Sequence, residues 1–251
     1  MLKKNLGILI KMNQTNLAGK NCVITGATGG IGKNLSELLA SEGCNLFLIS
    51  RNEANLNQLK TSLGIRFDVK IFTLSADLSI SKNFPKVISE IRNHFKNIDV
   101  LINSAGIFDI KSLSDSSLEF FDKSFTLNVT APFYFSKYLS PDMIQQKWGR
   151  IVNIGSSSSY SGFSNSSVYC TTKHALLGLS RSLHSELKKS NVRCYCISPS
   201  STRTDMGKIS SDQNFETFLD PMEVAKAIVF AISFDENLVM DEIRLNRMNI
   251  E

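Results

Sequence analysis

The stretch Ile151–Leu179, IVNIGSSSSYSGFSNSSVYCTTKHALLGL, has the pattern of a buried strand, a serine-rich loop and a helix that starts near Tyr169. Tyr169 and Lys173 are four residues apart, so on a helix their side chains share one face. A neighbouring ammonium favours the phenolate, so we expect Lys173 to lower the tyrosine pKa from its usual value of about 10. Ser156, just after the strand, is placed to orient a carbonyl beside the phenol. The alternative is a loop serine, a core tyrosine and a solvated lysine.

A glycine-rich turn follows the first apolar run of the chain. Asn21–Thr25 predicts a short strand, and TGATGGIG (Thr25–Gly32) leads from it into a helix. Gly26, Gly30 and Gly32 permit a tight turn and let the backbone approach a pyrophosphate at the helix N-terminus. The strand–turn–helix context favours a dinucleotide site, and the alternative is a tight turn with no ligand.

Short apolar runs alternate with helical patterns along the rest of the chain. The predicted strands are 21–25, 45–49, 69–74, 99–103, 151–154, 192–197 and 238–245. The predicted helices are 31–42, 52–63, 84–95, 119–137 (bent at Pro132), 169–188 and 221–232. Strands that are apolar throughout are typical of a parallel sheet covered by helices on both faces. We therefore predict an α/β fold with one doubly wound domain at 17–251, after an N-terminal extension at 1–16.

Composition excludes several classes of protein. The 251 residues are 42% hydrophobic and 20% charged, which is ordinary for a soluble globular chain. The net charge of +5 comes from scattered residues, so no nucleic-acid partner is expected. The five cysteines form no CxxC pair or metal-ligand spacing, which favours core thiols in a reducing cytoplasm and no metal site. The apolar run Leu6–Ile10 is too short for a signal peptide, and no run is long enough to span a membrane.

Three motifs occur together: the glycine turn Thr25–Gly32, NSAG at Asn103–Gly106, and Ser156 followed by Tyr169-x-x-x-Lys173. With them the chain resembles the short-chain dehydrogenase/reductase family over nearly its whole length, and in particular its 3-oxoacyl reductases. The resemblance implies a Rossmann-like fold, with a cofactor half at about 17–150 and a catalytic and substrate half at about 151–251. It also implies hydride transfer between a nicotinamide cofactor and a carbonyl or secondary alcohol.

The resemblance implies catalytic roles for four residues. Tyr169 would be the general acid in reduction, and Lys173 would bind the nicotinamide ribose and depress the tyrosine pKa. Ser156 would hydrogen-bond the substrate carbonyl, and a loop shift of one residue would give that role to Ser157 instead. Asn128, in TLNVTAPF, would hold a water in the proton relay.

The resemblance also implies a cofactor-binding set at the glycine turn and the strand ends. Its members are Gly26, Thr28, Gly30, Ile31, Gly32, Ser50, Arg51, Asp77, Leu78, Asn103, Ala105, Gly106, Tyr169, Lys173, Pro199, Thr202 and Thr204. Asp77 would contact adenine, and Asn103–Gly106 would support the adenine side and brace the central strands. Strand two ends in Ser50–Arg51 without the acidic residue common in NAD sites. Arg51 can pair with a 2′-phosphate, so we predict that NADP(H) is favoured over NAD(H). The alternative for Arg51 is a solvated residue at a helix start.

The sequence indicates the substrate and the oligomeric state less specifically than it indicates the fold and the cofactor. Met206–Phe218 is expected to form a mobile cover whose apolar residues suit an acyl substrate or simply pack as an ordinary loop. The first expectation is a 3-oxoacyl thioester, and a small ketone, a sugar or a steroid-like substrate is the alternative. The competing functions are a non-catalytic dinucleotide-binding regulator and a sugar-nucleotide epimerase or dehydratase. The resemblance implies a homodimer or homotetramer through helices around Phe120–Lys137 and Tyr169–Lys188, although the C-terminus lacks the family's glycine-rich motif.

Overall fold

The apolar runs pair side by side in the order that a doubly wound sheet requires. In a computed structural model, which describes residues 15–210 and 212–248, seven parallel strands follow the order β3-β2-β1-β4-β5-β6-β7. The strands are β1 (Asn21–Thr25), β2 (Asn45–Ser50), β3 (Ile71–Ser75), β4 (Val100–Asn103), β5 (Gly149–Ile154), β6 (Val192–Pro199) and β7 (Glu242–Leu245). The predicted Rossmann-like parallel sheet is confirmed. Most of the predicted N-terminal extension lies outside the described residues, and the Thr15 N–H donates to the Ser233 carbonyl at 2.6 Å.

Helices cover both faces of the sheet. They are α1 (Gly30–Ser41), α2 (Glu53–Arg66), α3 (Phe84–His94), α4 (Leu118–Phe125), α5 (Ala131–Gln145), α6 (Ser167–Leu187) and α7 (Pro221–Ile232). Successive strand residues point to opposite faces. Ile24 therefore packs in one buried cluster with α1, α2 and α7, and Val23 packs in the other with α3, α5 and α6. Burial on both faces explains why the strands are apolar at every position.

The order of the strands in the sheet reverses at β1, which pairs in parallel with β2 on one side and with β4 on the other. Thr25 at the end of β1 is level with Ile49 and with Asn103 at the end of β4. Parallel strands place all their carboxyl ends at one edge, and a crevice forms there where the strand order reverses. The loops that carry the predicted site residues therefore converge at this edge.

The helix predicted at 119–137 differs from the structure. Helix α4 ends at Phe125, a π-helical segment covers Thr126–Thr130, and α5 runs from Ala131 to Gln145. Pro132 is in the first turn of α5, where a missing N–H costs little, so the predicted bend is replaced by the π segment. Periodicity could not find this segment because one wide turn leaves no separate hydrophobic repeat.

Smaller differences concern element ends. Helix α6 begins at Ser167, two residues before the predicted start, and β7 is only Glu242–Leu245 instead of 238–245. The five cysteines are buried and unpaired, which confirms the prediction of core thiols. Within the described ranges, no helix has the length and apolar character needed to cross a membrane.

Candidate active site

A cleft of ≈ 1080 Å³ lies at the carboxyl edge of the sheet. Of the predicted site residues, it is lined by Gly26, Thr28, Gly30, Ile31, Gly32, Ser50, Arg51, Asp77, Leu78, Ala105, Gly106, Ser156, Tyr169, Lys173, Pro199, Thr202 and Thr204. Asn103 and Asn128 are buried behind the wall instead. The structure therefore brings the glycine turn, the end of β2 and the Ser156/Tyr169/Lys173 group into one cleft.

The glycine turn is too closely packed for side chains. Gly26 has φ +66°, and a Cβ there would lie 2.7 Å from the Ala105 nitrogen. A Cβ on Gly30 would lie 2.3 Å from Cγ2 of Thr204, and one on Gly32 would lie 2.2 Å from the Gly26 carbonyl oxygen. The turn thus brings the start of α1 against the loops that follow β4 and β6.

The first turn of α1 has no side-chain cap. Gly29 occupies the N-cap position, and no acidic residue lies in the first turn. The N–H groups at a helix start need acceptors, and together with the helix dipole they attract anions. Gly30, Ile31 and Gly32 line the cleft at this point, so the residues present fit the pyrophosphate of a dinucleotide.

The end of β2 is tied to the glycine turn by a hydrogen bond of 2.6 Å between the hydroxyls of Thr28 and Ser50. Arg51 is exposed at the rim of the cleft. Burial raises the pKa of the Asp77 carboxyl, but hydrogen bonds from Ser79 and the positive charge of Arg51 outweigh burial, so the pKa is lowered overall. Asp77 Oδ1 accepts from the Ser79 backbone at 2.9 Å and from its hydroxyl at 2.7 Å. Asp77 therefore shapes its own loop in addition to lining the cleft.

Tyr169 and Ser156 meet at the other end of the cleft. Burial raises the pKa of Tyr169 to about 12, and a hydrogen bond with Ser156 acts in the opposite direction. The expectation of a lowered pKa is therefore wrong for this structure, because desolvation of the phenol dominates. Of the two candidate serines, it is Ser156 whose side chain acts on the Tyr169 pKa. Its hydroxyl also accepts from the Ser158 N–H at 3.1 Å, while its own N–H donates to Ser159 Oγ at 3.1 Å, which orders the loop.

Lys173 lies behind the tyrosine. Its side chain is only 5% exposed, and its ammonium donates to the Ile154 carbonyl oxygen at 2.6 Å. The Nζ atom is 5.5 Å from the centre of the Tyr169 ring, and its hydrogen bond within the described residues is to Ile154, not to the Tyr169 hydroxyl. Burial lowers the pKa of Lys173 to about 8. The expected lowering of the tyrosine pKa by Lys173 is not seen, because burial of the phenol is the dominant influence on it.

Asn128 is held in the π segment by hydrogen bonds on both sides of its amide. Oδ1 accepts from the Ile107 N–H at 2.9 Å, and Nδ2 donates to the Ile107 carbonyl and to Thr172 Oγ1, each at 3.0 Å. Thr172 Oγ1 in turn donates to the Tyr169 carbonyl at 2.9 Å. A Cβ on Gly106 would lie 3.3 Å from Asn128 Oδ1 and 4.0 Å from Lys173 Nζ, so these groups are neighbours. Sequence reasoning missed Thr172, because no spacing rule marks it.

Asn103 braces the sheet. Its Nδ2 donates to Asn153 Oδ1 at 2.8 Å, and the side chain is 3% exposed. The side chain lies between β4 and β5 and outside the cleft lining, so the predicted contact of Asn103 with the cofactor stays a prediction. The predicted bracing role agrees with the structure. Thr25 Oγ1 accepts from the N–H groups of Ser104 and Ala105, each at 3.2 Å. These bonds position the NSAG loop beside the glycine turn.

The segment after β6 forms the remaining wall. Two short 3-10 helices, Gly207–Ile209 and Phe215–Thr217, lie within the predicted cover Met206–Phe218, of which residue 211 is outside the described residues. Asn246 and Arg247, just after β7, also line the cleft. Sequence reasoning missed both, because the unusual C-terminus gave no motif to match.

Comparisons with known proteins agree with this geometry. Residues 20–214 match the family model described as short chain dehydrogenase. The chain is 30% identical to a 3-oxoacyl-(acyl-carrier-protein) reductase of Aquifex aeolicus, over 88% of this chain and 92% of that protein. It is 29% identical to an NAD-dependent glycerol dehydrogenase of Listeria innocua, over 90% of this chain and 92% of that protein.

A solved structure is similar over the same extent. The crystal structure of L-sorbose reductase from Gluconobacter frateurii, complexed with NADPH and L-sorbose, superimposes with a TM-score of 0.84 at 25% identity. The match covers 94% of this chain and 97% of that chain. With the family model spanning most of its length, the chain belongs to the short-chain dehydrogenase/reductase family and is an oxidoreductase.

Proposed function

We propose that the protein reduces a carbonyl to a secondary alcohol with NADPH, and catalyses the reverse oxidation, using Tyr169 as the proton donor in reduction. One observation carries this proposal. Tyr169, Ser156 and Lys173 line the same cleft as a glycine turn whose helix start has no side-chain cap. A proton donor and an anion cradle in one cleft are the two elements that such a reaction needs.

When bound, the cofactor supplies the hydride. The Ser156 hydroxyl donates a hydrogen bond to the substrate carbonyl oxygen, where negative charge develops. Tyr169 transfers its proton to the same oxygen. With a pKa of about 12, the Tyr169 phenol is protonated at neutral pH before the reaction, so it has a proton to donate. The positive charge of Lys173, in its protonated form, stabilises the phenolate that remains.

The proton lost by Tyr169 has to be replaced. Asn128 is adjacent to Lys173 on the buried side of Gly106. Its side-chain amide is already hydrogen-bonded through both its oxygen and its nitrogen. These bonds fix Asn128 beside Lys173, where it would hold a relay water, and they also hold the surrounding loop in place.

NADP(H) is the proposed cofactor in preference to NAD(H). The rim at the end of β2 carries Arg51 and no carboxylate, and the first acidic residue beyond it is Glu53 in α2. Arg51 forms no ion pair within 4.0 Å among the described residues, so its guanidinium is free to pair with a 2′-phosphate. A carboxylate at the same place would repel that group.

The proposed substrate is a 3-oxoacyl thioester. The wall near Tyr169 contains the apolar side chains Phe108, Phe163 and Met206, and the Tyr169 and Phe108 rings are 4.7 Å apart between centroids. The similarity to a 3-oxoacyl-(acyl-carrier-protein) reductase supports this class. A keto sugar is the second candidate, because Ser164, Asn165 and Gln213 add hydrogen-bonding groups to the same wall.

We also propose a homo-oligomer built on α4, α5 and α6. Phe135 is buried in the core, but Leu118, Phe133 and Tyr138 are 82%, 49% and 41% exposed on α4 and α5. Exposed apolar side chains on adjacent helices are typical of a surface that packs against another copy. Light scattering at micromolar concentration should give at least a dimer mass, and a monomer mass would contradict the proposal.

Tyr169→Phe tests the reaction. With NADPH and a panel of a neutral 3-oxoacyl thioester, a simple ketone and a keto sugar, wild type should reduce at least one compound. The variant should lose at least 10²- to 10⁴-fold in kcat, because the proton donor is gone, while NADPH affinity changes little. Tyr160→Phe is the matched control, since that hydroxyl donates to Glu242 outside the cleft lining. Similar rates for both variants would reject Tyr169 as the donor, and NADPH binding without any reduction would favour a non-catalytic regulator.

A further inference from the structure

Arg247 places a positive charge in the substrate wall of the cleft. It follows β7 and lies against the segment after β6, whose Gln213 and Met206 line the same cleft. The described cleft lining contains three cationic side chains, namely Arg51, Lys173 and Arg247. Arg51 is at the end of β2 and Lys173 is behind Tyr169, so Arg247 is the cation on the wall formed by the segment after β6.

The partners of Arg247 are uncharged. Its Nη1 donates to Thr217 Oγ1 at 3.1 Å, and its Nη2 donates to Gln213 Oε1 at 2.9 Å. The guanidinium carbon is 5.0 Å from the centre of the Phe218 ring. These contacts hold the planar group in a defined orientation, and they leave part of its five N–H donors for another acceptor.

No carboxylate of the described residues lies within 4.0 Å of Arg247, unlike Arg181, Arg203 and Lys208, which have acidic partners. Arg247 is half-buried, and its hydrogen-bond acceptors are neutral. These bonds therefore only partly offset the free-energy cost of removing its charge from water. An anionic ligand in the cleft would complete its hydrogen bonds and its charge.

The acidic side chains in the cleft lining do not neutralise the charge of Arg247. Asp77 lies at the end of β3, away from this wall, and Asp205 pairs with Lys208 at 2.7 Å. Asp212 is exposed, so solvent screens its charge more strongly than that of Arg247. The balance at the half-buried part of the wall is therefore positive.

We propose that Arg247 is a specificity-determining residue that binds an anionic oxygen group, a carboxylate or a phosphate, on the carbonyl substrate. The guanidinium fork matches either group through paired hydrogen bonds. The inference rests on the proposed carbonyl reduction and names a substrate feature that the reaction itself does not require. The reacting end stays at Ser156 and Tyr169, and Arg247 anchors the other end.

Four acetoacetyl compounds with the same reacting ketone test the proposal. Acetoacetate is compared with its neutral methyl ester, and acetoacetyl-coenzyme A is compared with the neutral N-acetylcysteamine thioester. For each, kcat/KM with NADPH is measured in wild type, Arg247→Gln, Arg247→Lys and Arg244→Gln. Arg244 is the matched control, because it is exposed on β7 over the Tyr160 ring and does not line the cleft.

Wild type should prefer at least one charged compound over its neutral partner by tenfold or more. Arg247→Gln should remove that preference and change the neutral partner less than threefold, Arg247→Lys should keep part of it, and Arg244→Gln should keep all of it. Preference in the acid pair identifies a carboxylate, and preference in the thioester pair identifies a phosphate.

Three results would overturn the proposal: no preference for either charged compound, an equal loss for charged and neutral compounds in Arg247→Gln, or a matching loss of NADPH affinity in that variant. The second would make Arg247 only a support for the 213–218 segment, and the third would place it at the cofactor phosphates. Calorimetric titration of the charged compounds onto the NADPH complex separates this inference from the proposed function. Binding that depends on Arg247 without reduction upholds the anion site and rejects the reductase activity.

Discussion

The two ends of the cleft are built differently. At the cofactor end, short turns follow β1 and β2 directly, and their contacts are between neighbouring strand ends, such as the hydroxyl pair Thr28–Ser50. At the substrate end, the wall is the long segment after β6, which Arg247 contacts from 30 and 34 residues away in sequence. Both ends join distant segments, but those at the cofactor end carry sequence motifs, whereas the contacts of Arg247 involve residues that no motif marks.

Lys173, where the two ends meet, gives the largest expected effect. Its pKa is about 8 in the folded protein and 10.5 when solvated. Between these values the unfolded state binds more protons, so the free energy of unfolding should rise with pH across this window. Relative to Lys173→Met, wild type should gain about 3 kcal/mol from pH 7 to pH 11.

Urea unfolding of both proteins at several pH values between 7 and 11 measures this difference. Only the change of the difference with pH is used, because the other titrating groups are common to both proteins. A difference that stays constant or falls as pH rises would mean that the Lys173 ammonium is well solvated, and the buried position described above would be wrong.

Gly26→Ala should disrupt the glycine turn at the cofactor end of the cleft. An alanine at φ +66° is strained, and its Cβ would lie 2.7 Å from the Ala105 backbone nitrogen. We expect a loss of about 2 kcal/mol or more in the free energy of unfolding, together with weaker NADPH binding. Gly64→Ala, in α2 with no atom within 4 Å of the new Cβ, is the control and should stabilise by about 0.5–1 kcal/mol. Equal thermal shifts for the two variants would show that the turn is not strained by a side chain.

Arg51→Ala tests the cofactor end through the affinity for NADPH and NADH, and it has the smallest expected effect. Wild type should bind NADPH at least tenfold more tightly than NADH, about 1.4 kcal/mol or more. The variant should lose most of that gap with NADH binding nearly unchanged, because in the proposed binding mode the guanidinium pairs with the 2′-phosphate, which NADH lacks. Titration calorimetry with both cofactors measures the four affinities. Equal wild-type affinities would reject the proposed preference.

Side-chain environments were less predictable than positions. The four-residue spacing correctly placed Tyr169 and Lys173 on one face of α6, but not the direction of the tyrosine pKa, which burial raises to about 12. Asn128 was identified through a motif, yet the π segment that holds it leaves no periodic signal. Desolvation and a single widened turn depend on the surrounding packing, and no local pattern encodes them.

By itself, the sequence determined the alternation of buried strands and helices, the glycine turn after β1 and the serine, tyrosine and lysine beside the cleft. Each of these follows from short-range chemistry: apolar runs, backbone freedom at glycine and the period of a helix. Only the tertiary structure decided that Asn103 braces β4 and β5 instead of lining the cleft, and that Arg247 reaches the wall beside Gln213. Those contacts join residues that are dozens of positions apart, so the packing of the whole chain had to bring them together.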